Sequence, residues 1–90
     1  MSNMGKEMDK INKASEDFGG FLHDYRLKHN LSLQNMSEIV GYSASYILRI
    51  EKNERIPGLD TKLRILLEIW TMEDIYLYLQ EIVSRVKKIS

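Results

Sequence analysis

The chain has 90 residues, 43% of them hydrophobic, with 13 Lys and Arg against 13 Asp and Glu. That length fits one small domain, the apolar share excludes a disordered chain, and the absence of cysteine excludes a disulfide framework or a thiolate zinc site. Zero net charge argues against a bulk electrostatic grip on nucleic acid, while the lack of a ~20-residue apolar run or a signal peptide leads us to expect a soluble, cytoplasmic domain.

Residues 1–15 are polar, and Met4, Met8, Ile11 and Ser15 form only a thin apolar stripe. A flexible N-terminal arm or a marginal helix is expected there. The first predicted helix covers about residues 17–29, with Phe18, Leu22 and Tyr25 recurring at helical spacing and Phe21 beside them. It ends at His29-Asn30, because Asn tolerates the left-handed conformation of a helix C-terminus. Ser32 is a good N-cap for a second helix over residues 33–40, with Leu33, Met36, Ile39 and Val40 expected to face inward. Gly41 stops it, and Ser43 caps a third helix over residues 44–52 whose inner positions are Ile47 and Ile50.

Residues 53–58 read as a loop. Asp60 is expected to cap a fourth helix over residues 61–69, with Leu59, Leu63, Leu66, Leu67 and Trp70 on its apolar side. Thr71-Met72-Glu73-Asp74 resembles a capping box with Asp in place of Glu, opening a fifth helix to about Lys88. No period-2 segment and no hairpin dipeptide occurs, so no sheet is expected.

Residues 33–40 and 44–52 form helices too short to be stable alone. Joined by Gly41-Tyr42-Ser43, they must cross and pack on a third helix. That is a helix-turn-helix unit, whose second helix enters the DNA major groove. Leu31-Ser32, Met36-Ser37-Glu38, Gly41-Tyr42-Ser43 and the run Ser45 to Glu51 resemble the Cro/C1-type (XRE-like) regulator family. Phe18-Gly19 and Leu22-x-x-x-Arg26 upstream, and Pro57 downstream, fit the same pattern, which spans about residues 18–70. The resemblance implies an all-α, five-helix lambda-repressor-like fold, with four helices in a helix-turn-helix domain over residues 16–70 and the fifth a long C-terminal helix at 71–90.

It further implies that Arg26 and Glu51 form a structural bridge between the first and third helices. Base contacts would come from Ala44, Ser45 and Arg49, with Tyr46 and Leu48 nearby. Arg49 is the strongest reader, because its planar fork can bond guanine O6 and N7 together. Ser45 suits a base edge or a phosphate, and Ala44 only a thymine methyl. Ser32, Gln34 and Ser43 at the helix starts, and Lys52, Asn53 and Arg55 after the third helix, would hold the backbone. The bland alternative for each is a solvated helix-face side chain. Leu33 and His23 depart from the family, which favours Gln and a second Arg at those positions, and Leu48 stands where a polar residue is usual.

Met72, Ile75, Leu79, Ile82, Val86 and Ile89 step by 3 and 4 along the C-terminal helix, an a/d seam widened by Tyr76 and Val83. The seam is expected to cover the core and to pair with a second copy. A dimer would set two recognition helices about 34 Å apart, matching successive major grooves of double-stranded DNA.

Enzyme motifs are missing, and His23 and His29 lie roughly 240° apart around one helix, so no shared metal or cofactor is expected. The expected function is a sequence-specific DNA-binding transcriptional regulator, a repressor acting as a homodimer on a pseudo-palindromic operator. The alternative is a protein-interaction helix-turn-helix module, antitoxin-like or regulator-binding, suggested by the zero charge with Leu33, Ala44 and Leu48.

Overall fold

The computed structural model describes residues 4–89. Among the described residues the chain is helical throughout, in the order α1 (Met4–Glu16), α2 (Phe18–Lys28), α3 (Leu33–Val40), α4 (Ala44–Glu51), α5 (Leu59–Ile69) and α6 (Met72–Ile89). There are six helices where the sequence predicts five. The difference is α1, which occupies most of the segment expected to be a flexible arm or a marginal helix. Ile11 and Ala14 of α1 are fully buried and Met8 packs against the core. Burial against α2 and α6, rather than intrinsic propensity, holds this helix. Residues 1–3, also assigned to the arm, lie outside the described residues.

Local chemistry sets the helix ends. Asp17 caps α2, accepting from the Gly20 amide at 3.0 Å. Asn30 follows in the left-handed region at φ 54. At α3 the cap is reciprocal: the Asn35 amide donates to the Ser32 hydroxyl at 2.9 Å, and the Ser32 amide donates to the Asn35 side chain at 3.0 Å. Gly41 ends α3 at φ 80, where a side chain would strain the backbone. Ser43 caps α4 by accepting from the Tyr46 amide at 3.2 Å. Thr71 and Asp74 form the expected box at the start of α6, with each backbone amide donating to the other side chain.

Asp60 does not cap α5. The helix opens two residues earlier, after extended Gly58 and with no side-chain cap, because buried Pro57 fixes the chain direction into it. Asp60 instead lies in the first turn, where its charge complements the helix dipole.

The core combines Phe18, Phe21 and Leu22 of α2, Met36 and Val40 of α3, Ile47 and Ile50 of α4, Ile65 and Leu66 of α5, and Ile75 and Tyr78 of α6 with the α1 residues. Trp70 meets Phe21 and Tyr78 edge-on, at 5.2 and 5.7 Å between ring centres. Three residues expected to face inward are exposed: Ile39 on α3, and Leu59 and Leu67 on α5. Beside Ile39 and Leu67 the inner face is already filled by neighbours one position away, Val40 and Leu66.

Candidate nucleic-acid interface

The interface is built outward from a polar lock. Glu51, the last residue of α4, has a side chain only 2% exposed. Its Oε2 accepts from Arg26 Nε at 2.9 Å, and its Oε1 accepts from Arg26 Nη2 at 3.0 Å. His23 Nδ1 approaches the same Oε1 at 2.8 Å. Arg26 Nη1 donates to the Leu31 carbonyl at 3.1 Å, so one guanidinium ties α2 to both the α2–α3 turn and the end of α4. Burial opposes the Glu51 charge, yet the hydrogen bonds and charges of Arg26 and His23 outweigh it and hold this carboxyl below its ordinary range. His23, a departure from the family pattern, is thus a third member of the lock.

Backbone approach reinforces it. A Cβ added to Gly19 on α2 would collide with the Ile50 carbonyl of α4, so the lack of a side chain lets the two helices close. The Ser37 hydroxyl donates to the Tyr42 carbonyl at 2.6 Å and pins the turn between α3 and α4.

With Ile47 and Ile50 inward, helical geometry turns Ser45, Leu48 and Arg49 to the opposite side of α4, with Ala44 at the flank and Lys52 just past the helix end in line with them. Ser45, Arg49 and Lys52 are exposed, while Ala44 and Leu48 are half-buried. Ser32 and Gln34 are exposed at the start of α3, and Ser43 is exposed at the start of α4. Arg55 is exposed beyond α4.

Besides Ser32 and Ser43, whose hydroxyls cap α3 and α4, two predicted contact residues have other engagements. Tyr46 is half-buried against the core, its ring 5.3 Å from that of Tyr42. Asn53, at φ 59, reaches the Asp17 carboxylate at 3.5 Å and so leans toward the start of α2. Arg64, which sequence spacing did not single out, lies 5.6 Å from the centre of the Tyr42 ring. It brings a cation to the turn from a helix more than twenty positions away, and no local pattern announces it.

A family model described as helix-turn-helix matches residues 22–68, more than half of the chain. The chain belongs to the helix-turn-helix family. The match runs from the middle of α2 to near the end of α5 and contains both short helices and their turn. Families of this kind are DNA-binding regulatory domains. The helix-turn-helix match leaves α1 and α6 outside it. Comparison with curated proteins and with solved structures gives no match. No helix among the described residues is long and apolar enough to cross a membrane.

Proposed function

We propose that this helix-turn-helix protein is a sequence-specific transcriptional repressor that occupies an operator as a homodimer. The observation that carries the reading is the outward side of α4, where Ser45, Arg49 and Lys52 stand exposed on a helix whose far end is fixed by Arg26 and Glu51. A reader held this way meets base edges without first having to order itself. Arg49 supplies the base-selective fork, Ser45 a second polar contact, and Lys52 and Arg55 the phosphate contacts. Ser32, Gln34 and Ser43 add donors at the starts of α3 and α4. Few cations serve each subunit, so the salt slope is shallow, at about 0.9 per phosphate contact, and pairing of two subunits supplies the rest of the affinity.

A second reading is supported by Leu48, an apolar residue on the same outward side: a module that docks a protein instead of a duplex. Selection from a random duplex library at low and physiological salt separates the two. The repressor reading expects an enriched motif with half-sites one helical turn apart. No enrichment even at low salt would overturn it in favour of the protein partner.

A further inference from the structure

The C-terminal helix has two apolar faces one residue out of step. Ile75 and Tyr78 are buried in the domain and Ile82 packs against its core, although Ile75 and Ile82 belong to the seam expected to pair two chains. The free stripe is a different one. Met72, Tyr76, Val83 and Val86 are 54%, 60%, 54% and 60% exposed, with half-buried Leu79 between them. These five positions step by 4, 3, 4 and 3, and at about 100° per residue they fall within roughly 80° of arc. Tyr76, Leu79, Gln80 and Val83 together with Lys87 make an open, nearly flat face of the helix there. The side chain of Ile89, the last seam position, lies outside the described residues.

The charges flanking the stripe select the occupant. Glu73, Gln80 and Lys87 follow one another at heptad spacing along its open edge. Glu73 and Asp74 make the first turn of α6 acidic, and Lys87 and Lys88 make the last turn basic. A second copy laid antiparallel about a two-fold axis near Gln80 places Glu73 opposite Lys87 of the partner subunit, twice over, and opposes the two helix dipoles. A parallel pair sets acidic turn beside acidic turn and basic beside basic.

We infer that the stripe Met72, Tyr76, Leu79, Val83 and Val86 is the surface on which a second copy of this chain docks, with the two α6 helices antiparallel. The inference rests on the homodimer reading above and gives it a face and a direction.

Analytical ultracentrifugation of the full chain over a concentration series tests it. Tyr76→Glu with Val83→Glu changes only exposed positions, so the helical signal and the melting temperature of the dilute, dissociated chain hold while the dimer weakens by about tenfold or more. Lys87→Glu alone weakens the dimer, as does Glu73→Lys alone, and the double variant recovers it. The chain has no cysteine, so single thiols report direction without interference. Gln80→Cys forms a disulfide-linked dimer on mild oxidation and Val86→Cys does not. Efficient linkage through Val86→Cys, or a dimer indifferent to Tyr76→Glu with Val83→Glu, overturns the inference and leaves the homodimer reading standing. A double charge variant weaker than either single one also overturns it. A wild-type chain that sediments as a monomer at every concentration overturns both.

Discussion

The contact of α2 with α4 and the contact of α1 with α6 are closed by different chemistry. Between α2 and α4 a carboxylate is almost fully enclosed and receives a two-pronged guanidinium and an imidazole. Between α1 and α6 the apolar residues Ile11, Ala14, Ile75 and Tyr78 supply the burial. The ion pairs there lack a two-pronged fork and their cations are partly open to solvent, although Asp74 itself is buried. Lys10 meets Asp74 at 2.9 Å with its side chain 34% exposed, and Arg85 reaches Glu16 at 3.2 Å. The difference separates fixing from holding. A planar fork on two oxygens fixes the angle and register of α4 against α2, as a helix that must meet a duplex requires. Apolar burial holds α1 on α6 with less directional demand.

Arg26→Ala breaks the comparison hardest. It leaves the Glu51 charge buried without its fork, costing about 3 to 5 kcal/mol and lowering the melting temperature by roughly 15 °C or more. A midpoint within a few degrees of wild type in calorimetry contradicts the lock. Ile11→Ala attacks the other contact by opening a cavity where α1 meets the core, and costs about 2 to 4 kcal/mol in urea unfolding. An unchanged urea midpoint would instead mean that α1 contributes little, as expected of a flexible arm.

Acid sharpens the contrast. Glu51 and Asp17 both titrate lower in the folded chain than their ordinary values of 4.5 and 3.8. For Glu51, burial pushes the other way and is outweighed by Arg26 and His23; for Asp17, the Gly20 amide leads. Each therefore adds stability that is present above its ordinary value and is lost as pH falls through the folded one. Urea midpoints should hold steady above about pH 5 and fall below about pH 4. Arg26→Ala should flatten that fall, whereas Lys13→Ala at the exposed Asp17 pair should change it little. The smallest effect is Arg85→Ala. Its partner Glu16 is solvated and Arg85 itself lies at the surface, so thermal unfolding should shift less than for any variant above.

The same contrast explains what sequence alone disclosed. Residues 31–52 are governed by local rules: Ser32 and Ser43 as caps, Gly41 at positive φ, and Met36, Ile47 and Ile50 at helical spacing. Their boundaries could be placed nearly to the residue, and the resemblance named both ends of the Arg26 bridge. The third member, His23, was legible as a departure but not as a partner. α1 is legible only as a marginal helix, because its stripe is thin and much of its burial comes from α6, some sixty residues away. On α6, Ile75 and Ile82 alternate with Tyr76 and Val83, so two faces share one periodicity and only packing decides which turns inward. The resemblance implies a phosphate contact for Asn53, and its side chain leans toward Asp17, a contact set by tertiary approach at Gly19. The exposure of Ser45, Arg49 and Lys52 follows directly from Ile47 and Ile50 facing inward.

The central claim is that a helix locked at its end reads bases through Arg49. The most direct measurement compares wild type with Arg49→Ala on the selected duplex and on every single-base-pair change within it. Discrimination should fall by about 1–3 kcal/mol at one base pair of each half-site and stay unchanged elsewhere. A uniform loss across all the duplexes, with every base preference kept, would contradict the account and reduce Arg49 to a phosphate contact.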